Sequence, residues 1–294
     1  MSVLDLLSSP MAQRSILVAV LVGLVAPVVG TFLVQRRLSL LGDGIGHVAL
    51  TGVGAGWLVG TITGAAKADQ YAVPGAIVAA IAGAVIIEFM RDRGKTTGDV
   101  ALALLFYGGI AGGVLIISIA GGTSANLTGY LFGSLATVTG ADVGLTVGLS
   151  ALIILVGLRL RTALFAVSYD EEFARASGLP VVALNILIAV VAALTVTVSM
   201  RVVGLLLVSA LMIVPVVTAQ VFARSFSATM WLAMVIGGIV TLGGLLITFA
   251  YPAPPGATIV VLAITLFAVI SGVQSRIRRS KVTSAKLSSV QESR

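Results

Sequence analysis

The sequence predicts an all-α protein, a polytopic membrane helix bundle with about eight or nine transmembrane helices. Three observations predict it: 58% of the 294 residues are hydrophobic, only 10% are charged, and the mean hydropathy is +1.14. A soluble domain carries about 25% charged residues, so this chain lacks the polar surface that water requires. Its 34 glycines are typical of helices that pack closely within a bilayer.

Apolar segments of about 20 residues, the length that crosses a bilayer, recur along the whole chain. The predicted spans are 15–34, 45–62, 72–90, 100–119, 141–160, 181–199, 202–222, 228–250 and 257–275. They form one transmembrane domain over residues 1–275, followed by a basic tail, 276–294, that we expect to be disordered against anionic lipid. No polar stretch approaches the ~50 residues of an independent domain, so any ATPase is expected on a separate chain.

The basic residues predict the orientation, because cytoplasmic loops of membrane proteins are rich in lysine and arginine. The basic tail places the C terminus in the cytoplasm, and counting spans backwards brings the internal basic loops to the same side, namely Arg36–Arg37, Arg91–Lys95, Arg159–Arg175 and Arg224. The net charge of +7 is therefore mainly an orientation signal, and an aromatic content of 6% offers no stacking platform for nucleic acid.

Asp43 and His47 are the candidate site, since ionisable groups inside a membrane are costly and mark function by default. His47 is the sole histidine and the chain has no cysteine. The i,i+4 spacing places the two side chains one turn apart on one helix face. They can present oxygen and nitrogen to one metal ion or proton, or they can form a private hydrogen bond. Two ligands fall short of the four that zinc prefers, but two copies around a two-fold axis would supply them.

The glycines around this pair leave the helix surface almost bare, so that a neighbouring helix or a passing ion can come close. Four glycines are expected to pack along the path that an ion would take past this helix, namely Gly42, Gly46, Gly52 and Gly56. Gly52 and Gly56 also have the spacing of an ordinary helix-packing face.

A short cytoplasmic helix is predicted at about 168–179. Asp170, Glu171 and Glu172 complement the helix dipole at its start, and Gly178 can end it. An amphipathic helix that protrudes from a membrane bundle can dock a cytoplasmic partner, or it can lie flat on the membrane surface.

Four stretches resemble the membrane permeases of zinc- and manganese-type ABC importers. The first, Arg36–Val53, has a basic pair, Gly-Asp, a histidine four residues after the aspartate, and a closing Gly-Val. The others are Tyr130–Leu135, the segment Asp170–Gly178, which is similar to the family's coupling helix, and Val203–Pro215. The resemblance covers about residues 14–275.

The resemblance implies a non-catalytic pore subunit of type II ABC importer architecture in the plasma (inner) membrane of a prokaryote. It implies cytoplasmic ATP-binding subunits, an extracytoplasmic metal-binding protein and a second permease copy as partners, with no permanently bound cofactor. Asp43 and His47 fall on positions associated with the transported zinc or manganese, and Asp170, Glu171, Glu172, Ala174 and Gly178 fall on the ATPase contact. Thr51, where many manganese-type members have Leu-Pro before the Gly-Val, favours zinc slightly.

A proton-coupled secondary carrier of metal or a small solute is the alternative function. In such a carrier Asp43 and His47 would titrate during transport. These carriers often contain inverted repeats with broken helices, and no repeat is evident in this sequence. A co-purifying ATPase would distinguish the two functions.

Overall fold

The fold is known from a computed structural model that describes residues 9–65, 67–92, 98–133, 138–251 and 253–292. Within these ranges every regular element is helical, which confirms the predicted fold class. A short 3₁₀ helix, Ala68–Tyr71, precedes α3. The α-helices are α1 (Pro10–Gln35), α2 (Leu41–Ile62), α3 (Ala72–Asp92), α4 (Gly98–Ile119), α5 (Ser124–Phe132), α6 (Gly140–Arg159), α7 (Arg161–Tyr169), α8 (Glu171–Ala176), α9 (Val181–Val203), α10 (Leu205–Gln220), α11 (Phe226–Ala250) and α12 (Pro255–Glu292).

Eight of the described helices are long and apolar enough to cross a membrane, and α10, with 16 residues, is shorter. Contacts at both ends nevertheless show that α10 runs the length of the bundle. At its N-terminal end, Gly204 lies beside the Phe132 backbone. Gly256, at the start of α12, lies beside the same backbone. At its other end the Val221 carbonyl accepts a 2.6 Å hydrogen bond from Gln274 of α12. Helix α10 therefore extends between the same two ends of the bundle as α12, although it is shorter than the eight candidate spans.

The bundle is built around buried helices that position α2. Helix α2 packs against α3 and α4, while α1 packs against α6, α10 and α11, and α9 lies between the two groups. Glycines allow the closest approaches: a methyl group at Gly23 would meet α11, and one at Gly30 would meet the Met212 carbonyl of α10. Such contacts replace the hydrophobic driving force that lipid does not provide between membrane helices.

The C-terminal tail differs from its prediction. Helix α12 continues to Glu292, whereas the sequence was expected to become disordered from residue 276. No glycine or proline occurs between 273 and 292, so nothing in the covalent chain interrupts the helix that leaves the bundle.

Candidate functional site

Asp43 and His47 lie together in the first turns of α2, as their spacing predicts. The His47 Nε2 atom is 3.7 Å from the Asp43 Oδ1 atom. His47 is buried, with 3% of its surface exposed, whereas the Asp43 side chain retains 21%. The position suits the carboxylate, because the N-terminal turn of a helix attracts negative charge.

The imidazole of His47 is enclosed but has no hydrogen-bond partner among the residues that the structure describes. Both ring nitrogens are buried without a donor or acceptor in reach. Phe106 of α4 meets the ring edge-on at a centroid distance of 4.4 Å, and Gly109 of α4 lies against the His47 backbone. A buried polar group without a partner costs about 1–3 kcal/mol, so these nitrogens are available to a ligand.

The pair is arranged better for a shared ligand than for a private hydrogen bond. At 3.7 Å the nitrogen and oxygen are too far apart for a normal hydrogen bond. Ligand atoms that each lie about 2.1 Å from one ion are about 3.0–3.4 Å apart when they are neighbours in its coordination shell. A small side-chain rotation therefore brings Asp43 and His47 to the spacing of two ligands on one metal ion.

Asp43 opens sideways into a recess at the surface of the single chain. The recess has a volume of about 380 Å³, and its lining includes Leu40, Phe106 and Tyr107 beside the carboxylate. Leu40 and Tyr107 are 65% and 70% exposed. The recess therefore leaves the Asp43 carboxylate partly exposed on the side where α2 and α4 meet.

The pair is incomplete as a metal site. Across the ranges that the structure describes, no three His, Cys, Asp or Glu side chains come together as a metal-binding group. Zinc sites normally have four ligands and catalytic ones at least three from protein. Two ligands per chain provide a weak site in one copy, or half of a symmetric site.

Helix α8, Glu171–Ala176, lies within the segment predicted as the short cytoplasmic helix, and its three acidic residues do different things. Asp170 caps α8 by accepting a 2.9 Å hydrogen bond from the Phe173 backbone. Glu171 turns back into the bundle and accepts from Arg36 at 3.0 Å. Glu172 is exposed.

The rest of α8 holds it against the bundle. Ala174 is completely buried, and Gly178 adopts a φ of 79°. The Leu179 amide reaches the Ala174 carbonyl at 3.1 Å, which completes a Schellman turn that places glycine in the left-handed conformation.

Comparison with known proteins identifies the bundle. Residues 8–274 match the ABC 3 transport family. The chain belongs to this family. It is 29% identical to the manganese transport system membrane protein MntC of Halalkalibacterium halodurans, covering 90% of this chain and 88% of that protein. It is 32% identical to a probable metal transport system membrane protein of Thermotoga maritima, covering 86% and 84%.

A solved structure agrees with this assignment. PsaBC from Streptococcus pneumoniae, in complex with Fab, superposes with a TM-score of 0.79 at 30% identity, covering 91% of this chain and 94% of that one. The predicted membership among metal-type ABC permeases is therefore confirmed, as is the architecture.

The four glycines predicted along the path of this ABC 3 permease all face other helices. A methyl group at Gly52 would meet the Gly75 carbonyl of α3, and one at Gly56 would meet the Tyr71 carbonyl. Gly42 faces the Met212 side chain of α10, and Gly46 faces Leu205. Helix packing thus accounts for each of them, and none leaves open space for an ion.

Sequence reasoning missed a cluster of charged groups at the end of the bundle that carries α8. This inner charge cluster consists of Arg36, Glu88, Arg91 and Glu171, and the Asn185 amide lies beside it. Arg36 ends 3.6 Å from Glu88 and 3.0 Å from Glu171, Arg91 donates to both Glu88 oxygens, and Asn185 donates to Glu171. Glu88 is only 4% exposed and contacts both Arg36 and Arg91.

Proposed function

We propose that this chain is the transmembrane pore subunit of an ATP-driven importer of divalent metal ions, in which Asp43 and His47 bind the cargo during its passage. Family membership supports the transport role. The observation that carries the site is the buried His47 imidazole, which has no hydrogen-bond partner among the described residues and lies 3.7 Å from the Asp43 carboxylate. Two ligands per chain bind weakly enough to release the ion, which transport requires.

Manganese is the preferred cargo in this proposal, with zinc next. The relatives named above include a manganese transport system protein, and carboxylate ligands suit manganese well. The slight preference for zinc rested on Thr51. The Thr51 hydroxyl donates to the Gly109 carbonyl at 2.8 Å, so a packing role between α2 and α4 explains this residue without reference to the metal.

A second copy of the chain fits the exposed side of the site. It would cover the recess beside Asp43, remove the carboxylate from lipid and add a second aspartate and histidine. Two nitrogens and two oxygens form a ligand set that suits either metal. Closed two-fold symmetry is also the commonest arrangement among oligomers.

The end of the bundle that carries α8 is proposed to face the cytoplasm and to bind the ATPase. Tyr169 and Phe173, beside and within α8, are 71% and 66% exposed, and exposed aromatic side chains are typical of docking surfaces. The basic C terminus is placed on the same side by the positive-inside rule. The metal-binding protein would then deliver the ion at the opposite end.

Substitution at the pair tests the proposal. We expect Asp43→Asn and His47→Ala to abolish manganese and zinc uptake in metal-starved cells while leaving the amount of subunit in the membrane unchanged. Asp142→Asn is the control, because the Asp142 side chain completes the capping box of α6 by accepting a 2.8 Å hydrogen bond from the Thr139 backbone amide, and the amide oxygen of asparagine can also accept. Normal uptake by both site variants would refute the assignment of the path.

The proton-coupled alternative predicts a different result. A secondary carrier would transport without an ATPase chain and would stop when the proton gradient is collapsed. Uptake that depends on a co-purified ATPase with an intact phosphate-binding loop supports the importer, whereas uptake by the permease alone would favour the carrier.

A further inference from the structure

Arg36 connects three separate parts of the chain. Its guanidinium lies between Glu88 of α3 and Glu171 of α8, and the residue itself is the C-cap of α1. The side chain is 2% exposed. A buried ion pair contributes little to stability compared with apolar packing, and buried charge in a membrane protein marks function by default. The cluster therefore requires an explanation beyond folding.

The hydrogen bonds of Arg36 depend on Glu171. Arg36 donates one 3.0 Å bond to Glu171, while its Nε and Nη1 atoms have no hydrogen-bond acceptor among the described residues. Glu88 lies farther away, with its Oε1 atom 3.6 Å from the Arg36 Nη1 atom, and its two oxygens accept hydrogen bonds from Arg91 instead. The position of α8 thus determines whether Arg36 has a hydrogen-bonded partner.

The contact has open space on both sides. A cavity of about 160 Å³ is lined by Glu88, Arg91 and Glu171 among others. A second, of about 600 Å³, is lined by Arg36, Arg37, Arg91 and Glu171 among others. The Arg36–Glu171 contact therefore borders open space rather than close packing, while Ala174 holds the rest of α8 against the bundle.

A rigid corner joins Arg36 to the metal site. The Leu38 amide bonds to the Leu33 carbonyl at 2.9 Å and the Arg37 amide to Val34 at 3.1 Å, which is a Schellman turn. Leu38 is buried at 7%, and α2 begins only a few residues later, with Asp43 in its first turn. A displacement of Arg36 is therefore passed to the start of α2.

We propose that the Arg36–Glu171 contact is a latch through which the position of α8 controls the corner between α1 and α2, and hence the helix that carries Asp43 and His47. Arg36 is thus a positioning residue. The proposal rests on the transport function proposed above, in which α8 contacts the ATPase. Glu172, which is exposed, takes no part in the latch.

The test compares Glu171→Ala with Glu172→Ala in the complete complex of permease, ATPase and binding protein in liposomes. Both acids lie in the first turn of α8, so both variants lose the same helix-dipole interaction. Because the chain has no cysteine, a nitroxide can be attached at Leu40→Cys, the N-cap of α2. Its spectrum reports whether the corner moves when ATP is added, and manganese uptake per ATP hydrolysed reports coupling.

We expect the labelled complex with Glu171 intact and the Glu172→Ala complex to show an ATP-dependent change in the spectrum. Glu171→Ala should lose that change and deliver about tenfold less manganese per ATP, the effect of about 1.4 kcal/mol. Glu171→Gln, which keeps the acceptor oxygen without its charge, should fall between them. These readouts separate a latch from a merely structural contact. If the contact were only structural, its loss would reduce the amount of complex but would leave the ATP-dependent spectral change and the manganese-to-ATP ratio unchanged.

Three results would overturn the latch: no spectral response to ATP with Glu171 intact, an undiminished response in Glu171→Ala, or an equal manganese-to-ATP ratio in both alanine variants. Failure of the transport function looks different. In that case the unsubstituted complex takes up neither manganese nor zinc, while the spectral comparison of the two alanine variants still decides whether the latch exists.

Discussion

Gly109 offers the sharpest test of how closely α4 must approach the candidate site at Asp43 and His47. A methyl group added at Gly109 would lie 2.5 Å from the carbonyl carbon of His47 and 2.6 Å from the Val48 amide nitrogen. These are backbone atoms of α2, so no side-chain rotation can relieve the contact. Since ordinary contact begins near 3.4 Å, Gly109→Ala must push the two helices apart by about 0.9 Å.

The separation affects both stability and the site. Overpacking of this kind costs about 1–3 kcal/mol. It also strains the hydrogen bond from Thr51 to the Gly109 carbonyl and moves Phe106, on the same helix, away from the His47 ring. We therefore expect Gly109→Ala to unfold at a lower temperature and to take up manganese more slowly.

Two glycines provide matched controls. A methyl group at Gly108, the preceding residue, or at Gly144 of α6 would meet nothing within 4 Å. Alanine is favoured over glycine inside a helix by about 0.5–1 kcal/mol, so each control should be at least as stable as the unsubstituted protein. The measurements are the thermal midpoint of the purified permease and initial uptake rates in liposomes. A Gly109→Ala variant that matches Gly144→Ala in both would refute the close approach of α4.

Two further predictions concern Thr51 and Arg37. Thr51→Val should cost about 0.5–1.5 kcal/mol of stability, because it removes the hydroxyl that donates to the Gly109 carbonyl. The ratio of manganese to zinc uptake should not change. A changed ratio would show that Thr51 acts on the metal. Arg37 has a φ of 58° at a turn position where glycine is usual. In thermal unfolding, Arg37→Gly should be at least as stable as the unsubstituted protein, whereas Arg37→Val should be about 1–2 kcal/mol less stable. Equal stabilities of the two variants would contradict the left-handed turn.

The spans are predictable because lipid imposes a simple rule on them. A crossing helix must be predominantly apolar over about 20 residues. Each predicted span coincides with a described helix to within several residues, except that α12 continues to Glu292. The boundary between α9 and α10 is the instructive exception. Arg201 indicates a break nearby, but the break falls at Gly204, whose φ of 94° accompanies close contact with the Phe132 backbone. That contact joins residues far apart in sequence, and no local pattern contains it.

The candidate site was only half accessible to sequence reasoning, for a physical reason. Asp43 and His47 are one helical turn apart, so their proximity follows from helix geometry alone. Arg36 meets Glu88 and Glu171 only through tertiary packing. In the sequence, the positive-inside rule already explains the presence of Arg36. A position near the end of the predicted span 72–90 likewise explains why a glutamate is tolerated at Glu88. A residue that satisfies a topological rule can still be buried and paired, and only the packed bundle shows it.

Close packing around α2 determines how far a shift at the corner is transmitted. Gly52 brings α2 against α3, and Gly109 brings α4 against α2, both through backbone contact. Packed interiors transmit displacement because they contain few voids to absorb it. Glu88, which meets Arg36, also belongs to α3. In the proposed latch, a displacement that begins at Glu171 would reach α2 through the corner and α3 through Glu88. Helices α2, α3 and α4 would then shift as one unit that carries Asp43, His47 and Phe106 together.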